Sequence, residues 1–457
     1  MHILALGVVL WLAPVFPAQV AAPPAASKED VASRVDAIAA AHLAEPGAVG
    51  LSIAVGRGDA MLLEKGYGKA EAEFGALANA STSFRIGSVT KQFTAALVMS
   101  YVERGEIDLD ADLSLYVPSF PLQGHEVTIR QLLSHTSGIV SYTDLESEWT
   151  SKWPLELTHE ELLALVKDKP FVFEPGTKWA YNNTGYYLLG MVLEKVAGKP
   201  YAAIVREEIS EKLALSRTRY DSNSELIENR AQGYAFEGGK LANDQILGMN
   251  QPGAAGALLS TAGELVRWQI ALRGGRVVSP ESYALMTTPN VLPDGTPTHY
   301  GFGLMIDDRE GSARIQHGGG IFGFNSMLAF YPDSGLHVAV ISNGESVSSK
   351  VIADEIAFAV GAAMKRAVND ETVPAEKLAS LAGRYKLAGI ELEARVFEKG
   401  GKLFLQATGQ PEFRLLWQGD DSFRAEFDTS VRLVFKADAS AFTLHQGGGI
   451  ITASRMK

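Results

Sequence analysis

Phe84-Arg85-Ile86-Gly87-Ser88-Val89-Thr90-Lys91-Gln92-Phe93 is the stretch around which the rest of the chain is organised. Its apolar spacing predicts a helix over residues 89–104. Ser88 and Lys91 are three positions apart, so their hydroxyl and amine share one face of that helix. The free N–H groups of a helix N-terminus would lie beside Ser88, which suits a nucleophile and part of its oxyanion hole. Exposed Ser and Lys reach this spacing by chance, so the motif needs partners elsewhere.

The composition excludes several classes of site. The 457 residues include no cysteine, so disulfides, thiol catalysis and cysteine-bound zinc are excluded. The net charge of -12 argues against a nucleic-acid surface, which needs clustered Lys and Arg. The nine histidines show no zinc-binding spacing. We therefore expect no metal, no cofactor and no nucleic-acid partner.

The first 26 residues have the pattern of a signal peptide. Residues 3–15 are almost wholly apolar, and residues 18–26 are small and proline-rich. The apolar run is too short for a comfortable membrane span, and no later stretch is long enough. We therefore expect a periplasmic or secreted protein without a stable membrane span. The alternative is a buried N-terminal segment.

Residues 27–370 alternate between strand and helix patterns. Strand patterns occur at 49–55 and 61–67, around a hairpin turn, and again at 301–306, 313–317, 327–331 and 338–342. Helix patterns are expected over 27–44, 129–133, 160–166, 185–196, 262–272 and 346–364. Strands at both ends of this region predict one sheet completed by distant segments. We assign 27–87 and 300–370 to a sheet lobe and 88–299 to a helical lobe, with a cleft between them.

Residues 371–457 have a different texture. Short alternating runs at 391–397, 402–407, 413–417, 422–427, 431–435 and 442–444 are separated by glycine-rich turns. This pattern predicts a small all-β barrel or sandwich.

Two further motifs are candidate partners for Ser88. Tyr181 and Asn183 flank Asn182, so in an extended loop both side chains point to one side. A tyrosine acts as a general base when nearby cations lower its pKa, although an Asn-capped turn with a core Tyr explains the same pattern. His317-Gly318-Gly319-Gly320 follows a strand pattern. Consecutive glycines there permit close approach of a ligand to the backbone, although a glycine-rich loop explains this run as well.

In this order the three motifs resemble the serine beta-lactamase and penicillin-binding family. The closest branch is class C-like, with its beta-lactamases, D-alanyl-D-alanine carboxypeptidases, D-aminopeptidases and family VIII esterases. Residues 132–138, Leu-Leu-Ser-His-Thr-Ser-Gly, also look like that branch. The resemblance implies an α/β sandwich, with an antiparallel sheet flanked by helices, plus an all-helical lobe. The C-terminal barrel looks like the lipocalin-like domain that follows some of these hydrolases.

The resemblance also implies roles for individual residues. Ser88 would be the nucleophile that forms an acyl-enzyme, Lys91 would activate it, and Tyr181 would shuttle the proton. Asn183, His317, Gly319 and Gly320 would contact the substrate, with the N–H groups of Ser88 and Gly320 forming the oxyanion hole.

One departure from the family pattern bears on the substrate. Many members have Lys-Thr-Gly where this chain has His317-Gly318-Gly319, so a permanent cation is missing. We therefore expect weak beta-lactam turnover and a preference for small esters, amides or D-amino-acid peptides. A beta-lactamase or DD-peptidase proper is the alternative enzyme. A non-hydrolytic peptidoglycan-binding or beta-lactam-sensing protein is the alternative of another class, and an oligomer is possible. His135 is adjacent to Ser134, but neighbours in sequence rarely face each other, so we expect a structural role for it.

Overall fold

The computed structural model describes residues 27–309, 311–362, 370–388, 392–419, 421–426, 431–446 and 449–456. The predicted signal peptide, residues 1–26, lies outside this set and stays a prediction. Across the residues that are described, every helix is too short or too polar to cross a bilayer.

The strands of the first region pair antiparallel with their neighbours. They are β1 (Gly50–Arg57), β2 (Ala60–Glu71), β3 (Ala76–Leu77), β4 (Phe84–Arg85), β5 (Arg219–Tyr220), β6 (Tyr234–Glu237), β7 (Lys240–Asn243), β8 (Leu258–Ser260), β9 (Met305–Arg309), β10 (Ser312–Ile321), β11 (Phe324–Tyr331) and β12 (Leu336–Ser342).

Within the described residues, the main sheet has seven strands in the order β3-β2-β1-β12-β11-β10-β9. Its centre joins the two ends of the region, since Leu51 of β1 lies opposite Ser342 of β12. Both strands are buried along almost their whole length, which explains why their sequences are nearly continuous apolar runs. The predicted single sheet completed by distant segments is confirmed.

Helices cover both faces of this sheet, and further helices lie in the part of the chain between its N-terminal and C-terminal strands. They are α1 (Lys28–Leu43), α2 (Thr90–Glu103), α3 (Ile129–Leu133), α4 (Glu146–Thr150), α5 (His159–Leu163), α6 (Asn183–Ala197), α7 (Tyr201–Val205), α8 (Glu211–Leu213), α9 (Gly253–Gly256), α10 (Ala262–Arg273), α11 (Pro280–Met286) and α12 (Ser349–Val360). Helices α1 and α12 pack on one sheet face, and α10 packs on the other face beside the helical lobe. The predicted antiparallel sheet flanked by helices, with a helical lobe, is confirmed.

Two predicted element boundaries are wrong. The strand expected at 301–306 begins only at Met305, because Gly303 has a positive φ of 71° and the chain turns there. The helix expected at 346–364 begins after its cap, Ser348, and ends at Gly361, whose φ of 101° cannot continue a helix. The domain boundary predicted between residues 370 and 371 stays a prediction, since residues 363–369 are not described.

The C-terminal region is a closed barrel of eight strands, as far as its described residues extend, and confirms the predicted all-β barrel. Helix α13 (Ala375–Leu381) precedes β13 (Gly383–Leu387), β14 (Glu393–Lys399), β15 (Lys402–Ala407), β16 (Phe413–Trp417), β17 (Ser422–Ala425), β18 (Arg432–Phe435), β19 (Ala441–Gln446) and β20 (Gly449–Arg455). The sequence patterns did not predict α13, β13 or β20. Pairing of β13 with β20 closes the barrel, so no edge strand is left open.

Candidate active site

A tight turn presents Ser88 at the start of α2. Gly87 opens a short 3₁₀ turn with a φ of 49°, a conformation that favours glycine. A Cβ at Gly87 would lie 2.9 Å from the backbone nitrogen of Gly320, so the turn packs directly on strand β10. The Ser88 side chain is partly exposed. Its surroundings therefore leave it accessible while its backbone is held against the sheet.

Lys91 lies one turn along and contacts three polar atoms. Its Nζ lies 3.1 Å from Ser88 Oγ, 2.7 Å from Asn183 Oδ1 and 2.9 Å from the carbonyl oxygen of Ala255. The side chain is fully buried, and Nζ also sits 4.7 Å from the centre of the Tyr181 ring. The predicted residues Ser88, Lys91 and Asn183 are thus brought together, whereas the Ala255 carbonyl was not predicted.

Burial favours the neutral form of Lys91. It lowers the pKa of Lys91 well below its ordinary value, because a charged ammonium loses its hydration there. Asn183 Oδ1 and the Ala255 carbonyl accept two N–H groups of Lys91, and Ser88 Oγ is its third contact. A neutral amine has two N–H donors and one lone pair, so in the neutral form the lone pair faces the Ser88 hydroxyl. This geometry allows Lys91 to accept the Ser88 proton.

Tyr181 is buried behind the same group. Its hydroxyl makes no full hydrogen bond with the described residues, although Ser88 is near enough to lower its pKa slightly. Burial has the larger effect and raises the pKa of Tyr181. The expectation that a nearby cation lowers this pKa is therefore wrong for the free protein. Tyr181 is protonated, and the geometry suits it to relaying a proton between Ser88 and a leaving group.

Residues 135–143 hold the segment that contains Tyr181. The sequence patterns did not assign this loop to the site. Asn182 N–H donates to His135 Nδ1 at 3.1 Å, and Asn183 N–H donates to Ser141 Oγ at 3.1 Å. Thr143 Oγ1 accepts from the Asn183 amide at 3.0 Å, which turns the Asn183 oxygen toward Lys91. The buried His135 ring lies 4.5 Å from the Tyr181 ring. These contacts agree with the structural role expected for His135.

The glycine run of β10 forms the opposite side of the site. A Cβ at Gly319 would overlap the carbonyl oxygen of Ile86 and lie 3.0 Å from Ser88 N. Ser326 Oγ donates to that carbonyl at 2.8 Å and ties the turn to the sheet. A Cβ at Gly320 would meet nothing, so the backbone there faces open space. Only glycine at position 319 allows β10 to lie this close to Ser88.

His317 is buried and neutral. Its Nδ1 donates to the Gly318 carbonyl at 2.6 Å, so its Nε2 is the acceptor for the Tyr300 hydroxyl at 3.0 Å. Burial, with a smaller contribution from Lys91, lowers the pKa of His317 to about 3. Both ring nitrogens are thus used within the protein. The geometry favours a positioning role for His317 over the predicted substrate contact, since neither His317 nor Gly319 lines the pocket.

The pocket beside Ser88 has a volume of about 130 Å³ and, among its described residues, no charged side chain. Asn183 and Gly320 line it as predicted. The other lining residues are Gly87, Ser88, Tyr142, Thr143, Trp149, Leu247, Pro252, Ala255, Gly256, Ile321 and Phe322. Most of the aromatic and aliphatic side chains belong to segments outside the sequence motifs, whereas Ile321 and Phe322 directly follow the glycine run. The pocket therefore suits a small acyl group without a charge near the reacting carbonyl.

Comparison with known proteins identifies the family. The family model described as Beta-lactamase matches residues 35–361, which is more than half of the chain. The chain belongs to the beta-lactamase family. Among curated relatives of this beta-lactamase-family protein, the D-aminopeptidase of Gluconobacter oxydans (strain 621H) is 25% identical over 427 residues, which cover 90% of this chain and 76% of that protein.

Two solved structures are similar to this beta-lactamase-family fold. The octameric penicillin-binding protein homologue from Pyrococcus abyssi has a TM-score of 0.66 and 25% identity, and covers 93% of this chain and 100% of its own. The D-amino acid amidase from Ochrobactrum anthropi SV3 has a TM-score of 0.63 and 25% identity, over 72% of this chain and 98% of its own. The family and these relatives make the protein a serine hydrolase.

Proposed function

We propose that the protein cleaves small esters and amides through an acyl-enzyme on Ser88. The observation that carries the proposal is the set of three contacts at Lys91 Nζ, two with acceptors and one with the Ser88 hydroxyl. A buried neutral amine in this position activates a serine without an Asp-His pair.

The chemistry then follows the geometry. Ser88 Oγ attacks the acyl carbon while its proton passes to Lys91 Nζ. The N–H groups of Ser88 and Gly320 stabilise the oxyanion, each contributing on the order of 3 kcal/mol. Tyr181 delivers its proton to the leaving oxygen or nitrogen as the carbon–leaving group bond breaks, and the proton on Lys91 Nζ then passes to the Tyr181 oxygen, which restores both groups. Water then repeats the sequence on the acyl-enzyme, and the acid is released.

The substrate preference rests on the charges around the pocket. Beta-lactams carry a carboxylate, yet His317 is neutral above about pH 3 and the pocket residues are uncharged. We therefore infer weak beta-lactam turnover and a preference for esters and amides that carry no charge close to the reacting carbonyl. D-amino-acid amides are a second candidate, because two similar proteins are a D-aminopeptidase and a D-amino acid amidase.

A substrate panel with a Ser88→Ala control tests the proposal. The panel contains p-nitrophenyl acetate and butyrate, D-alanine amide and nitrocefin. We expect kcat/KM to be highest for an ester and to fall at least about a thousandfold in Ser88→Ala, as for other serine nucleophiles. A fluorophosphonate should label Ser88, which is read by mass spectrometry.

Three results would contradict the proposal. Activity retained in Ser88→Ala places the chemistry elsewhere. A kcat/KM for nitrocefin above that for every ester indicates a beta-lactamase proper. An adduct that never hydrolyses, without turnover of any substrate, indicates a sensor.

A further inference from the structure

A second pocket adjoins the one beside Ser88. It has a volume of about 120 Å³, and Leu247 and Phe322 line both pockets. Its other described lining residues are mostly polar and include Arg85, Arg230 and Asp244. The uncharged pocket at Ser88 therefore borders a charged one, with these two apolar side chains between them.

One wall of this second pocket carries excess positive charge. Arg85 Nε donates to Asp221 at 2.7 Å, and Arg230 Nη1 donates to the same carboxylate at 2.9 Å. The Asp221 side chain is fully buried, and besides the two guanidinium groups it accepts the Ser222 N–H at 2.8 Å. One carboxylate neutralises one of two permanent cations. The remaining charge favours an anion in the pocket.

A negative group lines the same pocket. Asp244 Oδ1 accepts from the Gln245 N–H, but its Oδ2 is buried and has no hydrogen-bond partner in the described part of the chain. Burial and the Asp244 carboxyl, which is near enough to share a proton with Glu345, raise the pKa of Glu345 to about 6, so the two acidic groups lie close together. Two acidic groups this close together favour a ligand that brings a positive charge and its own N–H donors.

The direction of β10 decides which half of the substrate reaches this pocket. The leaving group needs the proton of Tyr181, whose ring lies 6.2 Å from that of His317. The oxyanion faces Gly320, the last glycine of the run. Phe322 directly follows the C-terminal end of β10 and borders the second pocket. The far end of the acyl chain therefore points toward the second pocket.

We infer that the second pocket binds an acyl chain whose far end carries both a carboxylate and an ammonium group. The γ-glutamyl group and its one-methylene-longer homologue, the δ-(α-aminoadipyl) group, have this chemistry. The carboxylate pairs with Arg85 and Arg230, and the ammonium donates to Asp244. The inference rests on the proposed function, since it requires acyl transfer to Ser88.

The test compares p-nitroanilides that differ only at the far end of the acyl chain. The γ-glutamyl and δ-(α-aminoadipyl) anilides carry both charges, the glutaryl anilide carries the carboxylate alone, and the butyryl anilide carries neither. We expect at least tenfold higher kcat/KM for one of the two doubly charged substrates than for the butyryl anilide. Ser88-dependent hydrolysis of p-nitrophenyl butyrate without this preference overturns the inference and leaves the proposed function standing.

Variants of Asp244 and Arg230 are expected to change kcat/KM for the glutaryl anilide in opposite directions. Asp244→Asn should lower kcat/KM for the doubly charged anilide about tenfold and raise it for the glutaryl anilide, because repulsion of the lone carboxylate is removed. Arg230→Gln should lower both. Exposed Arg276 provides the matched control, and Arg276→Gln should keep the ratios of the wild type.

The Asp244 variant keeps the test decisive if Arg230→Gln fails to fold, because Asp244 makes no ion pair with the residues that the structure describes. Thermal melting verifies the fold of each variant. Substrate ratios that are the same in Asp244→Asn as in the wild type would overturn the inference.

Discussion

The protein on the two sides of Ser88, here called the helical wall and the strand wall, is held together by different means. The helical wall (Ser88, Lys91, Asn183 and Ala255) is held by hydrogen bonds to one buried amine. The strand wall (His317, Gly319 and Gly320) is held by backbone packing, because Gly319 has no side chain to separate β10 from Ile86. The first wall depends on the polarity of its side chains, and the second depends on their absence.

Because of this difference, residues on the two sides of Ser88 should respond differently to substitution. A substitution on the helical wall should fail chemically, with the fold kept. A substitution on the strand wall should fail sterically, by moving the N–H of Gly320 away from the oxyanion. Kinetic and stability measurements separate the two kinds of failure.

Lys91→Met is expected to have the largest effect. It keeps the length of the side chain but removes the proton acceptor, so kcat should fall about 10³- to 10⁴-fold. The acceptors Asn183 Oδ1 and the Ala255 carbonyl lose their donor, at a cost of about 1–3 kcal/mol each in folding stability. Stopped-flow measurement of acylation and urea unfolding test both effects. A kcat within tenfold of the wild type would contradict the role of Lys91.

Gly319→Ala comes next, with Gly318→Ala as its matched control. A Cβ at Gly319 overlaps the Ile86 carbonyl, so β10 must move, and kcat should fall about 10²- to 10³-fold as the oxyanion loses a donor. At Gly318 the nearest atom to a Cβ is Ser326 O at 3.6 Å, an ordinary contact, so kcat should change little. Equal losses in the two variants would show that the strand wall does not work by close approach.

The smallest expected effect is the dependence of folding stability on pH. The pKa of His317 is about 3 in the folded protein, against about 6.5 for an ordinary histidine, so the unfolded chain binds more protons between these values. Stability should therefore be complete above about pH 6.5 and fall by up to about 1.4 kcal/mol per pH unit below it. His317→Gln should reduce this slope in urea unfolding at pH 4.5 to 7.

His337 is a control for His317, because it is buried away from the site. Burial lowers its pKa to about 3 as well, but it lies on β12 and lines no part of the pocket. His337→Gln should reduce the slope of stability against pH as much as His317→Gln does, and leave kcat/KM for p-nitrophenyl butyrate near the wild-type value. A slope that changes only for His317 would mean that burial alone is not its cause.

The main sheet, its flanking helices and the meeting of Ser88 with Lys91 were predictable from periodicity and spacing, whereas the contact of Asn183 with Lys91 was predicted from the resemblance to the family. The Ala255 carbonyl was not predictable, since any residue supplies a backbone oxygen. The direction of the Tyr181 pKa was also missed, because it depends on how deeply the fold buries the ring. In the barrel, β13 and β20 each pair with a neighbour in sequence and with one another across the closure, and this distant pairing leaves no signal in the local pattern.

The pairing of β1 with β12 has a consequence for how the enzyme comes into being. Residues 51 and 342 must meet before the centre of the sheet exists, and such distant contacts form slowly because a long loop must close first. Strand β10, whose Gly320 completes the proposed oxyanion hole, belongs to the same C-terminal part of the sheet and is also synthesised late. During synthesis, more than two hundred residues must therefore be added after Ser88 before the site is complete. A fragment that stops short of β12 would expose an unpaired apolar strand and perform no hydrolysis.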